Sequence, residues 1–191
     1  MKNLFETCSA FTERWEGGLV DNPHDPGGIT KFGVSLRLLK QLGLSVGDID
    51  HDGDIDAADI RGLTIDQARG LFKSVFFDQY AVADFPVPVA VAYYDSLVNM
   101  GPKEAGRCMQ RAANFYPNCC LDEDGIVGKA TRMCVKEICR VAGAEQVLAA
   151  RMIRERGRFY RVLSKNHPDL ARFLNGWLAR VGDLTVYVKT L

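Results

Sequence analysis

Helical periodicity is the dominant pattern along this chain. Apolar residues recur every three or four positions from Leu4 to Trp15, which predicts an amphipathic first helix that the glycines at 17 and 18 would end. The Gly- and Pro-rich residues 17–34 predict an irregular segment with short strands. Ser35 then matches an N-cap, and a Leu-rich helix is expected through Leu42.

The rest of the chain repeats this pattern. Thr64 and Gln67 match a capping box, so a helix should begin there. Its expected inner face consists of Ile65, Ala68, Leu71, Phe72, Val75 and Phe76. Beyond the prolines at 86 and 88, five segments are helical in period: 89–101, 102–115, 128–143, 144–165 and 168–182. The pattern predicts a mainly α protein with two lobes, 1–86 and 87–191, packed as one globular unit.

Composition and charge narrow the possible partners. Lys plus Arg and Asp plus Glu are equal at 24 each, so no overall basic field favours nucleic acid, and we expect none as a partner. No segment is apolar for long enough to insert into a membrane, and the N-terminus lacks the apolar stretch of a secretory signal. The six cysteines are irregularly spaced without a metal pattern, which favours reduced and mostly buried thiols.

The sequence DIDHDGDIDAAD at 48–59, called the acidic loop below, is the most specific local signal. With Asp48 as position 1, oxygen-bearing side chains fall at the positions of a calcium loop and Gly53 falls at position 6, where a sharp bend is needed. The predicted Ca²⁺ ligands are Asp48, Asp50, Asp52, Asp54, Asp56 and Asp59. The alternative is a solvated acidic turn, although six aspartates this close repel one another without a cation.

Asp59 stands where an EF-hand has a bidentate glutamate, so the loop resembles the dockerin-type variant more closely. Only one such loop is present, and we therefore expect a structural ion that pins the loop before the Thr64 helix. Asp122 and Asp124 precede Gly125, but the pattern stops there, which favours a turn over a second ion site.

Glu16 has the sequence surroundings of a general acid. Trp15 precedes it and two glycines follow, so apolar neighbours would raise its pKa while the glycines admit a bulky polymer. Asp25 and Thr30 follow, which adds a second carboxylate and a hydroxyl able to hold a water. Spacing alone also fits a helix-end glutamate followed by an Asx-type turn at Asp25.

A family resemblance favours the catalytic interpretation. WEGGLVDNPHDPGGITKFGVS resembles the signature of glycoside hydrolase family 108, the N-acetylmuramidases often found as phage endolysins. DSLVNMGPKEAGRCMQRAAN, DEDGIVGKAT and FLNGWLARV resemble later motifs of that family, so the likeness covers nearly the whole chain. The resemblance implies a lysozyme-like helical fold, with a short irregular or β segment after the first helix, a catalytic lobe at 1–86 and a peptidoglycan-binding-type region at 87–191.

The resemblance also assigns roles to residues. Glu16 matches the proposed catalytic glutamate of the EGG motif. By analogy with phage-type lysozymes, Asp25 would be the base or charge stabiliser and Thr30 would help to hold the water. Leu19 departs from the tyrosine that the family often has after EGG.

A second matched segment supplies candidates for substrate binding. Asp95, Asn99 and Gln110 are expected to line the cleft, and Tyr93 and Tyr94 to stack on sugar rings. Aromatic residues in a helical stripe are also typical of a core, and Asn99 before Gly-Pro is also typical of a helix junction. Both interpretations stay open at this point.

The predicted activity is hydrolysis of the β-1,4 bond between N-acetylmuramic acid and N-acetylglucosamine of bacterial peptidoglycan. We expect a monomer made in the host cytoplasm without a signal peptide, which reaches the wall in the periplasm after release through a separate pore. The alternatives are a lytic transglycosylase, a non-catalytic wall-binding or secretion-associated protein, and a plain calcium-binding interaction module.

Overall fold

The structure is a computed structural model that describes residues 3–15 and 28–191. Within these residues the protein is mainly α-helical, as predicted, with a small antiparallel hairpin. Two compact units are present: residues 12–74, called the loop unit, and Met1–Phe11 with Val75–Leu191, called the helical unit. The division into lobes at residues 86 and 87 stays a prediction.

The loop unit is built from short elements. They are the end of α1 (Leu4–Trp15), β1 (Thr30–Lys31), β2 (Val34–Ser35), α2 (Leu36–Leu42), α3 (Leu44–Gly47), α4 (Ala57–Gly62) and α5 (Ile65–Phe72). The strands pair Thr30 with Ser35 and Lys31 with Val34. Phe32 at φ 50° and Gly33 at φ 78° give the hairpin the two left-handed residues that a tight two-residue turn requires.

Two predicted helix starts in the loop unit are confirmed. The Ser35 hydroxyl accepts the N–H of Leu38 at 3.2 Å. The N–H of Thr64 donates to Oε1 of Gln67 at 2.9 Å, while the N–H of Gln67 donates to Oγ1 of Thr64 at 3.2 Å. Local side-chain chemistry therefore sets both boundaries, as expected of caps.

The inner face predicted after Thr64 is only partly correct. Ala68, Leu71 and Phe72 are buried, but Ile65 at the first helical position is 52% exposed. After α5 the chain continues as a π-helical turn at Lys73–Asp78, which adds a residue to the turn and rotates the side chains that follow. Phe77 is consequently buried in place of Phe76.

The helical unit is organised around a central helix. Its elements are a 3₁₀ turn (Val82–Asp84), α6 (Val87–Met100), α7 (Pro102–Ala113), α8 (Lys129–Ile138), α9 (Ala144–Asn166), a 3₁₀ turn (Pro168–Phe173) and α10 (Leu174–Val188). Every residue from Pro88 to Leu97 is buried, which is typical of a core helix that is covered on all faces. Helices α7, α9 and α10 all contact α6.

The last helix differs from its prediction at both ends. The expected start at Pro168 is a 3₁₀ turn, and the α-helix runs through Gly182 to Val188. An isolated glycine is tolerated inside a helix when packing holds the neighbouring turns.

Among the described residues, no helix has the length and apolarity that a membrane span requires.

The expectation of reduced thiols is wrong for one pair of cysteines. Cys119 and Cys134 form a disulfide, with their Cα atoms 5.9 Å apart, that links the segment after α7 to α8. Cys8 and Cys108 are buried as expected, and burial raises the pKa of each thiol to about 12. Irregular sequence spacing could not reveal the pair, because the fold alone brings these two residues together.

Candidate functional site

The predicted catalytic residues fall in and beside the part of the chain without a described structure. Glu16 and Asp25 lie outside the described residues. Thr30 begins β1, where it is half-buried and its hydroxyl donates to the carbonyl oxygen of Gly28 at 3.3 Å. The roles of these three residues stay predictions.

The end of α1, which leads to Glu16, is anchored within the loop unit. Glu13 lies close to the end of α1, and its Oε1 is 2.9 Å from Nε of Arg69 on α5. Both side chains are about a third exposed or more, at 40% and 33%, so the pair contributes little free energy but fixes an orientation. This contact holds the helix end that immediately precedes the EGG segment.

The acidic loop is held by hydrogen bonds to the carboxylates at its two ends. Oδ1 and Oδ2 of Asp48 accept the N–H groups of Asp52 and Gly53 at 3.2 and 3.1 Å. Oδ1 of Asp59 accepts the N–H of Ile49 at 2.6 Å. Gly53 takes φ 99°, so the sharp bend occurs at the glycine that the sequence places at position 6.

Asp59 has a second role that the sequence did not predict. It is 1% exposed, and its Oδ2 accepts the N–H of Asp56 at 2.7 Å, which closes a capping box at the start of α4. Burial alone would raise the pKa of Asp59, but backbone N–H groups, first that of Asp56 and then that of Ile49, outweigh it and lower the pKa. Asp59 is therefore a structural carboxylate whatever else it binds.

The six aspartates of the acidic loop lie close enough to repel one another. Carboxylate oxygens of two triplets approach within 4.8 Å of each other: Asp48 with Asp50 and Asp52, and Asp54 with Asp56 and Asp59. Desolvation and then the charge of Asp52 raise the pKa of Asp50, while the charge of Asp52 is the main cause that raises the pKa of Asp54. Converging carboxylates of this kind fit a hard divalent cation such as Ca²⁺.

The predicted residue Asp95 lies in a buried charge cluster inside the helical unit. It is 0% exposed and accepts Nη1 of Arg156 on Oδ2 at 2.6 Å. Nη2 of Arg180 donates to Oδ1 at 2.6 Å, and Nε of Arg180 lies 3.2 Å from both oxygens. Burial alone would raise the pKa of Asp95, but the two guanidinium groups outweigh burial and hold the pKa below its usual range.

Asn99 belongs to the same cluster. Its Oδ1 accepts Nη2 of Arg156 at 2.9 Å and also the hydroxyl of Tyr160. Trp177 stacks on Tyr160 with the ring centroids 4.9 Å apart, so the GW-x-x-R segment meets the D-x-x-x-N segment here. For Asp95 and Asn99 contact with substrate stays a prediction, while their partners give both residues a structural role.

Tyr93 and Tyr94 occupy the core of the helical unit. Each is 1% exposed. Tyr93 meets Phe85 edge to face at 5.6 Å, and Tyr94 packs in the same way on Phe5 and Phe77 at 6.1 Å. These contacts favour the core alternative that the helical stripe left open, because a ring already covered by protein has no free face for a sugar.

Gln110 on α7 binds the turn at Asp124 and Gly125 through hydrogen bonds. Its Nε2 donates to Oδ1 of Asp124 at 2.7 Å, and its Oε1 accepts the N–H of Gly125 at 2.8 Å. A Cβ on Gly106 would lie 2.1 Å from the carbonyl oxygen of Gly125, so helix and turn touch through two glycines. The preference for a turn over an ion site at Asp124 agrees with these contacts.

Sequence reasoning assigned no role to Arg156 or Arg180. A usable signal was present, because an aspartate in the middle of an apolar helix requires a cationic partner when buried. The sequence does not say which of the 24 basic residues provides it.

Comparisons with known proteins match the two halves of the chain to two different family models. The model of Glycosyl hydrolase 108 matches residues 9–101, and that of a Predicted Peptidoglycan domain matches residues 104–182. Among solved structures, one described as the structure of Brucella abortus SagA is 24% identical with a TM-score of 0.73, and the match covers 97% of this chain and 94% of that chain. At this identity the likeness shows a shared fold. No curated protein matches the chain.

The matches divide the described features between them. The first contains Thr30 and the acidic loop, together with the positions of Glu16 and Asp25, and the second contains the Gln110 turn. Together they are the parts of a peptidoglycan-degrading enzyme. The chain therefore resembles the glycosyl hydrolase 108 family over residues 9–101 and a predicted peptidoglycan domain over residues 104–182.

Proposed function

We propose that this protein is an N-acetylmuramidase that hydrolyses the β-1,4 bond between N-acetylmuramic acid and N-acetylglucosamine. One observation carries the proposal: the glycosyl hydrolase 108 match spans Glu16, Asp25 and Thr30, and the same chain carries a predicted peptidoglycan domain. A glycan-cleaving region joined to a wall-recognising region suits a muramidase, because the second region keeps the enzyme on its substrate.

In the proposed reaction Glu16 donates its proton to the bridging oxygen as the bond from that oxygen to the anomeric carbon breaks. Water, held by Thr30, attacks the anomeric carbon and gives up its proton to the carboxylate of Asp25, which acts as the base. The leaving sugar departs with a hydroxyl, and the muramic acid retains a reducing end.

A lytic transglycosylase is the second candidate, because it needs only one acidic residue and the EGG motif supplies one. There the C6 hydroxyl of the muramic acid attacks the anomeric carbon and passes its proton to the carboxylate. The product is a 1,6-anhydro sugar, which is one water lighter than the hydrolysis product.

Digestion of purified sacculi tests the proposal. The wild type should release fragments with reducing muramic acid ends, and Glu16→Gln should lower the rate by about 10²- to 10⁴-fold, the usual contribution of a general acid. Mass spectrometry of the fragments separates hydrolysis from transglycosylation, and anhydro ends would replace the muramidase assignment by the second candidate.

Glu6→Gln is the matched control, since it makes the same change at an exposed position near the start of α1 and leaves the contact between Glu13 and Arg69 intact. It should keep most of the activity. Unchanged lysis by Glu16→Gln would remove Glu16 as the acid. Wild type that pellets with sacculi but releases nothing would indicate a non-catalytic wall-binding protein.

We also propose that the acidic loop binds one structural Ca²⁺. Support comes from the two converging carboxylate triplets, the bend at Gly53 and the raised pKa of Asp54 beside Asp52. In that role the aspartates hold the ion, and the ion offsets their mutual repulsion. The monomeric state, synthesis in the host cytoplasm and action in the periplasm stay predictions.

A further inference from the structure

A groove of about 890 Å³ lies beside α8 in the helical unit. One wall is the segment at 84–86, and the other is a face of α8 that continues to Arg140. The α8 wall is mostly cationic, with Lys129, Arg132, Lys136 and Arg140 along it and Met133 between them. An apolar floor with a basic rim is therefore open on this unit.

The floor and one wall of the groove are firmly built. Phe85 is 5% exposed, and its ring meets Tyr93 in the core. The guanidinium of Arg132 lies 5.7 Å from the Phe85 ring centroid and donates to Oδ2 of Asp84 at 2.5 Å and to the carbonyl oxygen of Val127 at 3.2 Å. Arg132 therefore links the two walls of the groove, and its guanidinium is already paired with Asp84.

Lys129 and Lys136 differ from Arg132, because neither side chain forms an ion pair with a described residue. Arg140 pairs with Glu137 at 2.7 Å. Both lysines are exposed on the same face of α8. Seven residues at 1.5 Å each put them about 10 Å apart along the helix axis.

This spacing suits a short acidic ligand. An extended peptide advances about 3.3–3.6 Å per residue, so carboxylates two or three residues apart are separated by about 7–11 Å, which the flexible lysine side chains can match. A long polyanion such as nucleic acid fits less well, because the chain has no net positive charge and, among the described residues that line the groove, only these two lysines are uncompensated.

Peptidoglycan carries short peptides with free carboxylates on its glycan strands, and α8 lies within the predicted peptidoglycan domain. We propose that this groove binds the carboxylates of the peptidoglycan stem peptides through Lys129 and Lys136, with the peptide backbone along the exposed side chain of Met133. The inference rests on the proposed function, since it names the part of the wall that this domain recognises.

The test measures affinity of the full-length protein for a free stem tetrapeptide prepared from sacculi. A double variant, Lys129→Gln with Lys136→Gln, is compared with Lys165→Gln plus Lys189→Gln. The latter pair is also exposed and equal in charge change, but lies on α9 and after α10. We expect the groove variant to raise Kd about tenfold, as for two exposed ion pairs, and the control pair to leave it within about twofold.

A chemical control uses the same tetrapeptide with its carboxylates amidated. Wild type should bind it as weakly as the groove variant binds the free acid. Equal Kd values for wild type and groove variant, no loss on amidation, or binding of a wall phosphate polymer in place of the peptide would overturn the proposal.

Glycan cleavage is scored separately on sacculi. Wild type that releases reducing ends but binds the peptide without using the groove would overturn this inference alone. Wild type that binds through the groove but cuts nothing would overturn the muramidase proposal alone.

Discussion

The acidic loop and the helical unit use aspartate in opposite ways. In the loop, Asp48 and Asp59 accept backbone N–H groups, and no described basic side chain forms an ion pair with them. In the helical unit, Asp95 lies between two guanidinium groups, and Asp124 accepts the amide of Gln110. The helical unit neutralises the buried carboxylate of Asp95 with two of its own arginines, whereas the loop keeps negative charge that an external cation can compensate.

The two Asp-Gly turns show the same contrast. A Cβ on Gly53 would have no other atom within 4 Å, and the left-handed φ of 99° at this residue serves the bend alone. At Gly125, with φ 86°, a Cβ would lie 2.4 Å from the carbonyl oxygen of Lys103. The same Asp-Gly dipeptide therefore forms an open turn in the acidic loop and a packed turn in the helical unit.

Removing the charge of Asp95 should change the free energy of unfolding more than any substitution in the acidic loop. Asp95→Asn leaves Arg156 and Arg180 buried without their carboxylate, and we expect a loss of about 3–5 kcal/mol in the free energy of unfolding. Urea denaturation measures it, with Asp183→Asn on the exposed face of α10 as the control. A loss no larger than that of the control would mean that the cluster is not a stabilising centre.

The pH dependence of stability follows from the same group. The folded pKa of Asp95 is lowered, so its contribution is fully present above the unfolded pKa of about 3.9 and disappears as pH falls through the lower folded value. Wild type should therefore lose more stability than Asp95→Asn between about pH 4 and the folded pKa, which urea denaturation at a series of pH values measures.

Calcium should produce the next largest effect, and in the loop only. If the ion binds the folded loop and not the unfolded chain, a concentration of 100 Kd adds about 2.7 kcal/mol. Thermal melts with calcium and with chelator measure this shift. Asp50→Asn with Asp54→Asn should abolish it, whereas Asp124→Asn should leave it intact. A melting temperature indifferent to calcium and chelator would reduce the loop to a solvated acidic turn.

The glycine turns should give the smallest difference. Gly53→Ala meets backbone strain alone, which costs about 1 kcal/mol. Gly125→Ala adds a clash with backbone, so it should cost about 1–3 kcal/mol more. Chemical denaturation of the two variants under identical conditions compares them, and equal costs would contradict the packed contact between Gly125 and Lys103.

Much of the local structure was predictable because its causes are local. The caps at Ser35 and Thr64 involve residues three positions apart, and the amphipathic stripes report directly on helices. The bend at Gly53 follows from the one residue that tolerates its φ. The π-helical turn that buries Phe77 was not predicted, because no local sequence pattern indicates the residue inserted into the turn.

For the candidate site too, some features follow from local sequence and others depend on the tertiary structure. The sequence by itself determined the mainly α class, the family motif around Glu16 and the acidic loop, because each is a short-range pattern. Only the tertiary structure decided that Asp95 meets Arg156 and Arg180, which are 61 and 85 residues away, and that Cys119 pairs with Cys134. A buried carboxylate requires a compensating charge, but which distant residue supplies it depends on how the helices pack.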